Sequence, residues 1–245
     1  MSDHAVAARV ATAAGRHLMA LRVSAATGGA ELGAAGDRSS HELIMGALGE
    51  LRPGEPVLSE EAVDDPARLG AHRLWIVDPL DGTREFGEPG RTDWAVHVAL
   101  VDRSGRPVAG AVALPAEDLT LATEVAPALP APHAGPPRII VSRSRPPAAA
   151  QTVADALGGE VITMGSAGAK AMAVVRGSAE VYLHTGGQHE WDSCAPVAVA
   201  AAAGLHTSRV DGSPLVYNRP DPWMPDLVVC RPEHAPAVLR ALAGG

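Results

Sequence analysis

Asp78 and Asp81 stand three positions apart in Trp75-Ile76-Val77-Asp78-Pro79-Leu80-Asp81-Gly82-Thr83-Arg84-Glu85-Phe86, a spacing that can put two carboxylates and a backbone carbonyl on one turn. Leu74 to Val77 is a short apolar run that ends abruptly at Asp78, the pattern of a core strand reaching a sheet edge. Pro79 has a fixed φ and no N–H, and Asp81-Gly82 supplies turn chemistry, so the Leu80 carbonyl can point the same way as the carboxylates. Hard oxygen donors so closely spaced suit divalent cations. Past Gly82 the chain reads as a helix start, whose unpaired amides and positive dipole end favour an anion beside those cations. Such a turn can hold cations and a phosphate together.

An isolated Asp-Pro-x-Asp-Gly-Thr is ordinary loop punctuation, but two further acidic marks accompany this copy. Leu58-Ser59-Glu60-Glu61 follows a Pro/Gly turn at Arg52 to Pro56, and Val57-Leu58 reads as a strand ending in two acids. Trp191-Asp192 lies far downstream, just before a helical run from Ser193 to Ala203. Taken singly, Glu60 and Glu61 read as a solvated acidic pair and Asp192 as a helix N-cap. Together with the turn they form an oxygen set for Mg²⁺, a hard octahedral ion that keeps several waters and has little use for thiolates or imidazoles.

These marks, in this order, resemble the Mg²⁺-dependent, lithium-sensitive inositol monophosphatase superfamily, and within it the 3'(2'),5'-bisphosphate nucleotidase branch, especially its actinobacterial members. The resemblance runs from Asp37 to Asp192 and into the C-terminal segment. It implies metal ligands at Glu60, Asp78, the Leu80 carbonyl, Asp81 and Asp192, two or three bound Mg²⁺ ions, and catalytic roles for Asp37, Glu60 and Thr83. Asp37 and Thr83 would hold and deprotonate the attacking water. Read from the sequence alone, Asp37 in Gly36-Asp37-Arg38-Ser39-Ser40 is a charge near the start of a helix over Ser39 to Glu50. The implied chemistry is phosphate-ester hydrolysis, in which metal ions neutralise charge, acidify a water and stabilise the leaving oxygen, while the Gly82 and Thr83 amides hold phosphate oxygens. No residue is an evident activated nucleophile, so no phosphoenzyme is expected.

Substrate marks are finer. Thr83-Arg84-Glu85-Phe86 resembles the nucleotidase form of the motif, where inositol phosphatases usually carry Asn before the aromatic; Arg84 and Glu85 also read as an exposed ion pair, and Phe86, the only phenylalanine, as core. Val141-Ser142-Arg143-Ser144-Arg145 resembles a nucleotidase Ser-Arg-Ser-His element with Arg145 in place of His. Ser142 and Arg143 are therefore either nucleotide contacts or part of a basic surface turn. Gly165-Ser166-Ala167-Gly168-Ala169-Lys170 follows a strand and opens a helix, so its amides could cradle a second phosphate. Lys170 is the only lysine among the 20 Lys and Arg residues, and a compact ammonium in so Arg-rich a chain suggests a site unsuited to a guanidinium fork. In the resembled branch a Lys here, alongside Ser166, contacts substrate phosphate, and an Arg often follows near the end of the next strand, where this chain offers His184. His97 reads as a hydrogen-bonded sheet residue and His189 as a neighbour of the site. The expected reaction removes the 3'-phosphate of adenosine 3',5'-bisphosphate, extending to its sulfated precursor, in sulfur assimilation. Inositol monophosphate or fructose 1,6-bisphosphate in the same site, and a non-catalytic phosphate-binding regulator, are the rival readings.

The elements that must position these groups are legible in outline. Helical stretches occupy roughly 4 to 22 and 39 to 50, separated by a flexible Ser/Ala/Thr/Gly segment from Ser24 to Gly36. Strands follow at the Leu74 run, Trp94 to Val101 and Val108 to Leu114, then a Pro/Ala-rich piece from Ala126 to Pro137. After it come a strand at Arg138 to Val141, a helix at Ala148 to Leu157, a strand at Glu160 to Met164 and a helix at Ala167 to Arg176. The first half reads as an α+β lobe (1–130) carrying the metal site and the second as an α/β lobe (131–245) carrying substrate elements, in one two-lobed unit. The resemblance implies a layered αβαβα sandwich with the site between the lobes. At 245 residues and 47% hydrophobic content the chain can build a large core, and its net charge of −8 argues against a nucleic-acid polymer as partner. Two cysteines outside any Cys-x-x-Cys motif, no secretory leader and no long apolar span point to a cytoplasmic protein that does not engage membranes. A small phosphate ester is the expected partner, and monomer or homodimer stays open.

Overall fold

The computed structural model describes residues 1–26 and 28–244. Two five-stranded sheets form its frame. The first runs in sequence order: β1 (Val57–Ser59), β2 (Arg73–Asp81), β3 (Ala95–Asp102), β4 (Pro107–Leu114) and β5 (Leu119–Ala122), with β1 parallel to β2 and the remaining pairs antiparallel. Side chains alternate across these strands. Trp75 and Val77 of β2 join the core beneath α1 (Asp3–Ser24) and α2 (Gly29–Leu51), while Leu74 and Ile76 face the opposite core. A single short helix, α3 (Thr83–Gly87), follows β2 directly.

The second sheet is built from β6 (Arg138–Ser142), β7 (Glu160–Met164), β8 (Val181–His189), β9 (His206–Ser208) and β10 (Trp223–Cys230), in the spatial order β7-β6-β8-β10-β9. Its outer face packs on α4 (Ala149–Leu157) and α7 (Ala235–Ala243). Between the two sheets lie α5 (Ala167–Val175) and α6 (Glu190–Ala202), in a core that draws on both halves of the chain. The layers are therefore helix, sheet, helix, sheet, helix, as expected for the αβαβα sandwich. The Ala126 to Pro137 stretch connects the first sheet to the second. Cys194 and Cys230 are buried free thiols, and among the described residues no helix is long and apolar enough to cross a membrane.

One expected element is wrong. The segment read as flexible from Ser24 to Gly36 is helical from Gly29 onward, so Asp37 sits inside α2 rather than ahead of a helix; Thr27 lies outside the described residues. Packing overrides the low helix propensity of this glycine-rich stretch. A Cβ at Gly33 would stand 2.7 Å from Thr83 Cγ2, and one at Gly36 would stand 2.8 Å from both Leu80 Cδ2 and Phe86 Cε1. The glycines are what let α2 lie against the turn that follows β2.

Candidate active site

β2 carries the first two carboxylates. Its pairing with β3 skips between Asp78, opposite His97, and Asp81, opposite Ala95. Pro79 and Leu80 occupy the resulting bulge, where proline's missing N–H costs no ladder bond. Thus the strand continues through the motif instead of stopping at Asp78. The bulge is stitched locally: the Leu80 N–H donates to Asp78 Oδ1 at 3.0 Å, and the Ser40 hydroxyl of α2 donates to the Pro79 carbonyl at 2.7 Å. Gly82 then takes φ +87°, a left-handed conformation that suits glycine, and reverses the chain into α3.

Asp192 arrives from the other half of the molecule. It is the third residue of α6, inside the helix rather than before it, and its Oδ2 accepts the His189 N–H at 2.6 Å. One oxygen from each of Asp78, Asp81 and Asp192 lies within 4.8 Å of the others. Glu60, exposed in the turn after β1, lies outside this group of three but lines the same cleft and feels its charges. Desolvation, then the charges of Asp192, Asp37 and Asp81, pushes its pKa up to about 7. Burial, followed by Glu60, Asp81 and Asp192, holds Asp78 well above the usual carboxylate range, and burial with Asp81 raises Asp192. Carboxylates raising one another in this way form a hard-oxygen set that a divalent cation would relieve. The donors fit such a metal, with Glu60, Asp78, Asp81, Asp192 and the Leu80 carbonyl as its candidate holders.

Asp81 behaves oppositely. Burial opposes its ionisation, but His97, Lys170 and Ser166 together hold it below the ordinary range. Its Oδ2 receives the Ser166 hydroxyl at 2.5 Å and the Gly168 N–H at 2.6 Å, and lies 3.2 Å from His97 Nε2. The other nitrogen of His97, Nδ1, donates to the Trp191 carbonyl at 3.0 Å, one residue before Asp192. Reading His97 as a hydrogen-bonded sheet residue holds, yet its partners link two acids from opposite halves of the chain. Gly168 is required beneath it, since a Cβ there would lie 2.0 Å from Nε2.

The hydroxyl of Thr83, first in α3, lies 3.2 Å from Asp37 Oδ1 and 3.1 Å from the Leu80 carbonyl, two acceptors within reach of its one proton. Desolvation, then Glu61, pushes Asp37 up to about 6. Thr83 opens onto a cleft of about 440 Å³ lined from both halves of the chain, by Glu60, Asp81 and Arg84, and by Ser142, Ser144, Arg145, Ser166, Lys170, Tyr182, His184, Gln188, His189, Asp192 and Trp223.

The substrate expectations fare unevenly. Arg143 does not line the cleft: its guanidinium pairs with Glu85 and Glu88, both at 2.7 Å, so Glu85 is buried against Arg143 instead of forming an exposed pair with Arg84. Arg145, at the position where the sequence departs from the resembled element, lines the cleft instead. The Ser166 hydroxyl is committed to Asp81 and, as acceptor, to the Ala169 N–H that it caps, with Ser166 itself at φ +44°. Lys170 is buried, donates to the Gly165 and Ser166 carbonyls at 3.1 and 2.5 Å, and lies 5.3 Å from the centre of the Tyr182 ring; burial pushes it down to about 8. His184 is buried with Nε2 3.0 Å from the Gly187 carbonyl, and burial lowers its pKa. Phe86 is core, edge-on to Trp94.

The sequence pattern of the inositol monophosphatase family matches residues 3–128 and 138–243. The 3'-phosphoadenosine 5'-phosphate phosphatase of Mycobacterium tuberculosis is 54% identical over 219 residues, covering 86% of this chain and 82% of the relative. The protein of that name in Mycobacterium leprae is 49% identical over 251 residues, covering 98% and 93%. The crystal structure of CysQ from Bacteroides thetaiotaomicron superimposes with a TM-score of 0.79 at 28% identity, covering 94% of this chain and 97% of that one. The chain belongs to the inositol monophosphatase family.

Proposed function

We propose that this chain is a Mg²⁺-dependent phosphatase that removes the 3'-phosphate of adenosine 3',5'-bisphosphate, and of 3'-phosphoadenylyl sulfate, in cytoplasmic sulfur assimilation. The observation that carries the catalytic part is the convergence of Asp78, Asp81 and Asp192 within 4.8 Å beside the Asp37–Thr83 pair. The names of the mycobacterial relatives support the choice of nucleotide. Glu60, Asp78, the Leu80 carbonyl, Asp81 and Asp192 would hold two or three Mg²⁺ ions, which supply charge neutralisation and an acidified water. Thr83 fixes the position of that water through its hydroxyl, and Asp37, with a pKa of about 6, is poised to take the proton near neutral pH. The Gly82 and Thr83 amides would hold oxygens of the reacting phosphate. Lys170, His184, Ser142 and Ser166 belong to the substrate side of the cleft, Ser166 through its backbone now that its hydroxyl serves Asp81, and Arg145 takes the place expected of Arg143.

Phosphate release from adenosine 3',5'-bisphosphate, inositol monophosphate and fructose 1,6-bisphosphate, compared by kcat/KM in the presence of Mg²⁺, tests the reading. The nucleotide is expected to be the best substrate. A preference of about a hundredfold for either sugar phosphate, a difference of about 2.7 kcal/mol in transition-state stabilisation, would overturn it.

A further inference from the structure

Trp223 has no part in the chemistry just described, yet it lines the same cleft. It opens β10 opposite His189, the last residue of β8, and is 46% exposed, whereas Trp75 and Trp94 are wholly buried. Its indole rests on Gly187: a Cβ there would meet Nε1 at 2.6 Å and Cε2 and Cζ2 at 2.9 Å. Gly186 and Gly187 both take positive φ, +102° and +90°. The tryptophan is thus backed on glycine backbone on one side and left open on another. A large apolar ring held in that way, at the edge of a cleft that Tyr182 and Trp191 also line, is suited to cover a planar apolar partner. A second observation points to a ligand at this end of the strand pair. Gln188, next to Gly187 and also lining the cleft, has a buried amide nitrogen with no hydrogen-bond partner.

We propose that Trp223 is the platform on which the nucleobase of the substrate stacks, and that it confers preference for nucleotides over phosphates of non-aromatic polyols. Every base has a π-face, whereas a polyol ring has none. This rests on the nucleotidase reading, and the experiment separates the two. Steady-state kinetics of the wild type, Trp223→Ala and Trp223→Phe would be compared on adenosine 3',5'-bisphosphate and on inositol monophosphate. Trp223→Ala is expected to raise KM for the nucleotide by about tenfold with kcat within twofold, and to leave the polyol phosphate unaffected. Trp223→Phe, which keeps an aromatic face, is expected to restore the nucleotide KM to within about threefold. An equal loss on both substrates would reduce Trp223 to a structural role and overturn the proposal, as would an unchanged nucleotide KM in Trp223→Ala. Should the wild type itself fail to turn over the nucleotide, the substrate reading falls and takes the platform with it.

Discussion

At the scale of single residues, the arrangement around Asp81 separates ligands from the groups that aim them. Oδ2 of Asp81 accepts from Ser166 and Gly168 and lies 3.2 Å from His97 Nε2. Partners of this kind fix a ligand's orientation, and losing one typically costs about 10- to 100-fold in metal affinity or activity. His97→Asn keeps an amide near the position of Nδ1, toward Trp191, but cannot reach Asp81; His97→Gln reaches the position of Nε2. Mg²⁺ titration calorimetry is therefore expected to show about tenfold weaker binding for His97→Asn and near-normal binding for His97→Gln. Equal affinity in His97→Asn and the wild type would make the contact incidental. In the sequence Asp78 and Asp81 stood out as two acids in one Pro-Gly turn, whereas Glu60, Asp192 and Asp37 each had an ordinary local reading and were tied to that turn only by the family resemblance. The role of His97 was not legible, because alternation along a strand tells which face a residue takes and nothing about a carbonyl 94 positions away. The bond from the Ser166 hydroxyl to Asp81 was hidden for a related reason: a hydroxyl at a helix start can serve an anion or a neighbouring carboxylate, and only the fold brings Asp81 to it.

At the scale of elements, α2 matters most, since it brings Asp37 to Thr83. Its approach depends on Gly33, whose missing side chain leaves room for Thr83 Cγ2. Gly33→Ala should favour the helix intrinsically yet push the Thr83 turn away, and misplacement of about 1 Å at a reacting centre can cost 10²-fold. The expected outcome is a fall in kcat of ten- to a hundredfold while the far-ultraviolet circular dichroism and melting temperature stay close to wild type. A full-rate Gly33→Ala would show that α2 does not set the Asp37–Thr83 distance. The same glycines hid the start of α2 from sequence reading, as propensity favours a loop there. β10 was missed for a different reason: Pro225 interrupts its pattern, and in the structure that proline sits where the register with β8 shifts between Met224 and Asp226. By contrast β2, β3 and β4 were readable because their apolar runs are long enough to cross a core.

At the scale of the whole molecule, folding concentrates like charge where two halves of the chain meet, and this makes stability depend on pH and on metal. Glu60 and Asp37, raised to about 7 and about 6, together with the raised Asp78 and Asp192, bind protons more tightly folded than unfolded. Their contribution is present below the unfolded carboxylate range and is lost as pH rises through about 6 to 7. Asp81, held below its ordinary range, works the other way but is already ionised across this window. The metal-free protein should therefore weaken between pH 5 and pH 8, and Mg²⁺, which binds the deprotonated carboxylates, should stabilise it more at the higher pH.

Thermal melting with excess EDTA or with Mg²⁺, at pH 5 and pH 8, tests most directly whether these distant acids hold divalent ions together. At a hundredfold excess over Kd, the ion should contribute about 2.7 kcal/mol, or about 5–10 °C for a chain of this size. That rise is expected in the wild type at pH 8, much reduced at pH 5, and lost in Asp81→Asn. A melting temperature indifferent to Mg²⁺ at pH 8, or an equal rise in Asp81→Asn, would contradict it.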